Sequence, residues 1–217
     1  YYAVNVNSCH VTLAKELLND TSVKISTPVG FPLGAMTTSS KVHEAKNAIN
    51  DGADEIEMVI NLGLLKSRNY VSVLKDITAV KLAIGETPLK VIIEISELNK
   101  NEIIRICEIC LDAKVDYIKT SSGFSKNGAT LSTVKIIKKT VRDQIKIIAY
   151  DGIEDYETVL KYLEAGADRV GLNYGTELIS KTRSVRNSKV FKQYIKTFKN
   201  DEDTTAVNSS EKSINQL

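Results

Sequence analysis

Between residues 3 and 175, short β-prone runs alternate with stretches of helical period, and this rhythm constrains the fold more than any other feature of the chain. The strand candidates are AVNVN (3–7), VKISTPVG (23–30), EIEMVIN (55–61), LKVIIEIS (89–96), YIKTSSG (117–123), IKIIAYDG (145–152) and RVGLNYG (169–175). Between them lie HVTLAKELL, SKVHEAKNAI, YVSVLKDITAVKLA, NEIIRICEICLDA, STVKIIKKTV and YETVLKYLEA, whose apolar residues recur at i, i+3 and i+4. A strand followed by a helix and then another strand is the signature of a parallel sheet covered by helices.

Two helix ends repeat the pattern xGADx-apolar, in NDGADEIEMV and EAGADRVGL. Glycine there ends a helix in the left-handed region and Ala-Asp leads into the next strand. Seven strand units suit either an eightfold barrel one unit short or an open doubly wound sheet. The polar segments favour the barrel with a small-molecule site. PVGFPLG, NLG, KTSSGF, YDGI and NYGTE all fall at strand carboxyl ends, where parallel α/β folds assemble their sites. No GxGxxG or GxxxxGK[ST] opens a helix, so a dinucleotide or P-loop nucleotide has no support.

The 217 residues carry 29 basic and 27 acidic side chains, a net charge of +2 with mixed signs, which gives no reason to expect a nucleic-acid surface. Cys107 and Cys110 have CxxC spacing inside an apolar-periodic segment, without a second pair or a histidine to complete a metal site. They are expected to pack in a helix. No run approaches the length of a membrane span, and YYAVNVNSCH lacks the features of a leader. A soluble, cytoplasmic protein is expected. The opening Tyr, directly in strand-like sequence, suggests that the natural start is missing. NSKVFKQYIKTF is expected to form a terminal docking helix, closing a domain over 1–199, and 200–217 a flexible polar tail.

Lys119 is the most informative charged residue. If Tyr117, Lys119 and Ser121 face inward by strand alternation, burial disfavours the ammonium and frees an amine nucleophile of the kind that forms a Schiff base. With the opposite alternation Lys119 is a solvated lysine, and spacing alone does not choose. Lys90 and Glu94 share a parity, and Glu57 could join them in a proton-transfer cluster; the bland alternative is a structural rim pair. His10 and His43 match no metal or nucleophile-base spacing and are expected at the surface or in packing. Gly152, Gly171 and Gly175 lie in turns that could cradle a phosphate, although glycines also serve tight turns, and Asp151 and Glu154 argue against a strongly anionic ligand there.

GFPLGAMTTSSKVHEAKNAINDGADEIEMVINLGLLK, LKVIIEISEL and YIKTSSGF together resemble the deoxyribose-phosphate aldolases, over roughly residues 3–180. The resemblance implies a TIM-type (β/α)8 barrel, here apparently without its first βα unit. It further implies cleavage of 2-deoxy-D-ribose 5-phosphate to acetaldehyde and D-glyceraldehyde 3-phosphate through a lysine Schiff base, with no metal or other cofactor. Lys119 stands at the Schiff-base position, Lys90 at a proton-network lysine and Glu57 where the family has an aspartate. Gly152, Gly171 and Asn173 fall in the substrate and phosphate segments, and the partner is a sugar phosphate or aldehyde, with a homodimer compatible.

The chain departs from the family's pattern at several of these positions. Ile148 replaces a second active-site lysine, Asp151 a glycine of the phosphate loop, Asn173 and Tyr174 a serine pair, Asn5 a cysteine and Ser8 a proline. By parity, Lys146 is a candidate to restore a positive charge near Lys119. Two alternatives therefore stand beside the aldolase: a barrel that has lost catalysis and serves binding or regulation, and a Schiff-base enzyme for a non-phosphorylated aldehyde.

Overall fold

The computed structural model describes residues 1–173 and 175. Seven parallel strands pair in strict chain order: β1 (Ala3–Asn5), β2 (Lys24–Val29), β3 (Glu55–Val59), β4 (Leu89–Ile92), β5 (Tyr117–Lys119), β6 (Lys146–Tyr150) and β7 (Arg169–Gly171). The helices between them are α1 (Val11–Leu17), α2 (Thr38–Asn50), α3 (Leu62–Lys66), α4 (Tyr70–Ala83), α5 (Lys100–Asp112), α6 (Leu131–Val141) and α7 (Tyr156–Glu164). The terminal helix expected at 188–199 and the tail from 200 lie outside the described residues.

The sheet is curled. Neighbouring strands stand about 4.8 Å apart, so β3 and β7, four strands apart, would be separated by roughly 19 Å in a flat sheet. Instead Arg169 on β7 donates to Glu55 on β3 at 3.0 Å, and its guanidinium carbon lies 3.7 Å from the centre of the Tyr2 ring beside β1. Ordered, parallel, helix-covered and wrapped in this way, the sheet is that of a TIM-type barrel, with seven strands among the described residues.

Strand parity divides the side chains into two environments. Ile25, Ile56, Met58, Val91, Ile118, Ile147 and Ala149 face outward into the core, where the helices supply Ile77, Val80, Ile106, Cys107, Val134 and Ile137. Lys119, Glu57, Lys90 and Glu55 have the opposite parity and fill the barrel interior, so the alternation that makes Lys119 inward is the one adopted.

The GAD segments are strand clasps. Gly52 and Gly166 take φ values of +108° and +106°, ending α2 and α7. Each following aspartate then binds the strand beside its own: the Asp54 carboxylate accepts Ile25 N–H at 2.9 Å and Asp168 accepts Ile147 N–H at 2.8 Å. Asp116 repeats the device on Leu89 N–H at 2.8 Å, although its segment lacks the glycine. Each clasp satisfies an otherwise orphaned donor at the start of a strand and sets the parallel register.

Helix starts follow their polar caps. Thr37, Asn61, Asn69, Thr130 and Asp155 each accept a backbone N–H from the first turn, and Asn99 with Glu102 forms a reciprocal capping box. The CxxC pair lies buried on α5, as the apolar period implies. His10 and His43 are exposed, and His43 pairs with Asn47 one helical turn on.

Candidate active site

Three adjacent strands assemble the interior charges. Glu57 on β3 lies beside Lys90 on β4, and Lys119 on β5 is one strand further on, with Ile92 as its register partner. Lys119 Nζ donates to Glu57 Oε2 at 2.6 Å, while Lys90 Nζ reaches Glu57 Oε1 at 2.9 Å, Glu55 Oε2 at 2.7 Å and Ser26 Oγ at 3.0 Å. Arg169 continues the series to Glu55 and to the Tyr117 hydroxyl, packed between the rings of Tyr2 and Tyr117. Cation and anion alternate along this line, so each buried charge has an opposite neighbour, the condition under which charges survive desolvation.

The two lysines differ in how their protons are committed. An ammonium has three donors, and Lys90 spends all three on Glu57, Glu55 and Ser26. Lys119 has one hydrogen-bond partner among the described residues, Glu57, and beside it the face of Tyr150, whose ring centre is 4.0 Å from Nζ. Burial by itself would push the Glu57 carboxyl up, but the ammonium groups of Lys119 and Lys90 outweigh it and hold Glu57 well below the usual carboxylate range. Glu57 is an ionised acceptor placed between two cations.

A cavity of about 490 Å3 opens on this cluster, lined by Asn5, Ser26, Glu57, Lys90, Lys119 and Ile148, and towards its far side by Tyr150, Gly171 and Asn173. Tyr150 carried no signal in the sequence beyond its place at a strand end. Its ring occupies a slot that two glycines leave open: a Cβ on Gly171 would lie 2.5 Å from the ring, and one on Gly123 3.1 Å. Its hydroxyl donates to Asn173 Oδ1 at 2.5 Å, and Asn173 Nδ2 donates to Asp151 Oδ1 at 3.3 Å. Gly152 sits in the turn after β6 with φ +74°.

Two sequence expectations are corrected. Lys146 does not supply charge to Lys119: it starts β6 in register with Tyr117, is exposed, and carries its amine 5.7 Å from the centre of the Tyr117 ring. The group beside Lys119 is Tyr150. Glu94 does not join Lys90, because β4 ends at Ile92 and Glu94 turns to φ +53°, which breaks the alternation. Its buried carboxylate instead accepts from Ser122 Oγ and, at 2.7 Å, from Ser125 Oγ, fixing the loop that follows Lys119.

Lys41 is a further buried charge that carries no signal in the sequence. Among the described residues it is the largest fully buried polar side chain, paired with Asp76 at 2.6 Å and donating to the Val59 carbonyl at 3.1 Å, with its stem under Gly30. Glu44, on the same helix, accepts Gly30 N–H at 2.8 Å, so α2 holds the GFPLG loop from below. Only its place in a long-range pair distinguishes Lys41 from the surface lysines of an amphipathic helix.

A TIM-type barrel with one under-committed interior lysine, an ionised carboxylate on it and a cavity above defines the class of lysine-dependent barrel aldolases. Residues 3–181 match the DeoC/LacD family aldolase model, and the chain belongs to that family. It is 47% identical over 179 residues to deoxyribose-phosphate aldolase 1 of Mesoplasma florum, covering 82% of this chain and 81% of that one. Against deoxyribose-phosphate aldolase of Mannheimia succiniciproducens it is again 47% identical, over 82% and 80% of the two chains. A solved structure described as QR15, an aldolase, superposes with a TM-score of 0.82 at 40% identity, over 86% of this chain and 85% of that one. Among the described residues no helix is long and apolar enough to cross a membrane.

Proposed function

We propose that this chain is a class I aldolase that cleaves 2-deoxy-D-ribose 5-phosphate reversibly to acetaldehyde and D-glyceraldehyde 3-phosphate, with Lys119 as the imine-forming nucleophile. The observation that carries this reading is the unequal commitment of the two buried lysines: Lys90 is saturated by three acceptors, whereas Lys119 faces the cavity with one. The substrate comes from the relatives, which are named for it.

The geometry suits the steps that activate the amine. Glu57, 2.6 Å from Nζ, takes a proton from the ammonium, and the free amine adds to the C1 aldehyde. Return of that proton to the carbinolamine hydroxyl expels water and leaves an iminium. The C2–C3 bond then breaks as the C3 hydroxyl loses its proton, its oxygen becomes the carbonyl of the departing aldehyde, and the electron pair moves through C2 into the iminium to give an enamine. Protonation at C2 and addition of water release acetaldehyde and restore the amine. Lys90 keeps Glu57 oriented throughout and favours its return to the ionised form after each proton transfer.

The reading takes a small sugar phosphate or aldehyde as partner, a cytoplasmic setting and a homodimer, the last open to test by sedimentation. Borohydride reduction in the presence of acetaldehyde, followed by peptide mapping, tests the chemistry. An adduct on Lys119 is expected; absence of an adduct from every lysine would favour a catalytically silent barrel.

A further inference from the structure

The aldolase reading leaves open what receives the far end of the substrate. Barrels commonly bind a terminal phosphate in the turns after their last two strands, using backbone N–H groups at a helix start. Here those turns carry Asp151 after β6 and Asn173 after β7. In α7, which follows β6, the Thr158 N–H of the first turn is already taken by Asp155 at 2.8 Å. The described basic residues lining the cavity are Lys90, Lys119 and Arg169. Lys90 and Arg169 are spent on Glu55, Glu57, Ser26 and Tyr117, and Lys119 is the nucleophile. Among the described residues that line the cavity, every cation already has an anionic partner.

Behind the lining residues Tyr150 and Asn173 stands the Asp151 carboxylate. Tyr150 O–H holds Asn173 Oδ1, which turns the amide so that Nδ2 points at Asp151 Oδ1. The turn beneath cannot swing freely: Ala129 N–H bonds the carbonyls of Tyr150 and Asp151 at 3.2 and 3.1 Å, and Gly128 packs so closely on the Asp151 carbonyl that a Cβ would lie 2.2 Å away. Asp151 is half-buried, at φ +76°, and forms no ion pair among the described residues. An uncompensated carboxylate repels a dianion but accepts hydrogen bonds from hydroxyl groups.

We propose that Tyr150, Asn173 and Asp151 form a specificity element for an uncharged, hydroxyl-bearing substrate end, so that unphosphorylated 2-deoxyaldoses are cleaved at least as well as their phosphate esters. Tyr150 and Asn173 line the cavity; Asp151 acts through Asn173 and by its charge. The proposal rests on the imine-aldolase reading and narrows its substrate.

The test compares kcat/KM for 2-deoxy-D-ribose and 2-deoxy-D-ribose 5-phosphate in the full chain and in Asp151→Asn and Asp151→Gly, both of which tolerate a positive φ. The two sugars are expected within about tenfold of each other, or with the free sugar ahead, and each variant is expected to shift the ratio towards the phosphate by roughly tenfold or more. A wild-type preference for the phosphate well above tenfold, or variants that leave the ratio unmoved, would overturn the proposal. Borohydride trapping with acetaldehyde, which has no far end, separates the two levels. An adduct on Lys119 together with phosphate preference sinks only the specificity element; no adduct sinks the aldolase reading and the proposal with it.

Discussion

Lys119 Nζ lies 2.6 Å from one oxygen of Glu57, and the other oxygen of the same carboxylate holds Lys90 at 2.9 Å. One acid thus binds the proposed nucleophile and a second buried cation. Lys119→Met is expected to abolish the borohydride adduct and lower kcat/KM by about 10^3-fold or more. Glu57→Gln keeps the shape but cannot take the proton, and a loss of roughly 10^2-fold in kcat with a folded protein is expected. Circular dichroism alongside the kinetics checks both.

Tyr150 packs its ring face on the Lys119 amine, and its hydroxyl anchors Asn173. Tyr150→Phe keeps the ring and loses the anchor, so adduct formation with acetaldehyde is expected close to wild type. Tyr150→Leu loses both and leaves the glycine-lined slot part empty, and a fall of about tenfold in the trapping rate is expected, consistent with a cation–π contact of one to two kcal/mol. Equal trapping by both variants would show that the ring does not steady the nucleophile.

The buried Lys41–Asp76 pair is separate from the Lys119–Glu57–Lys90 line and supports the GFPLG loop. Asp76→Ala leaves an uncompensated buried ammonium and is expected to cost about 3–5 kcal/mol in urea unfolding. Lys41→Met with Asp76→Leu removes both charges and should recover most of that loss.

Glu57 has its carboxyl held below the usual range by Lys119 and Lys90 against the opposing effect of burial. A carboxyl depressed in the folded state stabilises the fold fully above its unfolded value, roughly 4.3, and loses that contribution as pH falls below it towards the folded value. Stability between neutral pH and pH 5 should therefore be flat in this respect and decline in more acid solution. Glu57→Gln should be less stable at neutral pH and show a shallower acid decline, measured as urea midpoints against pH.

Cys107 and Cys110 are buried on α5, and burial pushes the Cys107 thiol up to about 12 and that of Cys110 upward as well. Cys9 is exposed. A thiol-specific reagent at pH 8 should titrate one cysteine rapidly in the native protein and all three in denaturant.

Strand and helix order, the GAD turns, the inward parity of Lys119 as one of two options and the buried CxxC pair were legible along the chain, because each depends on periodicity or on a local turn. The segment YVSVLKDITAVKLA coincides with α4 at Tyr70–Ala83, since its cap Asn69 and its apolar stripe are both local. Lys146 shows where this stops: strand parity placed it on the interior face, but height along the barrel axis is set by the pairing register, which puts it beside Tyr117 rather than Lys119.

By itself the sequence determined a helix-covered parallel sheet and favoured a barrel over an open sheet, and with the family resemblance it singled out Lys119, Lys90 and Glu57. Only the tertiary structure decided which lysine is saturated, that Glu94 leaves the strand to bind a loop, and that Tyr150 joins Asn173 on the cavity's far side. The physical reason is range. Periodicity, capping and turn chemistry act over a few residues, whereas the pairs that define this site join positions 33, 62 and 23 residues apart through the curl and register of the sheet.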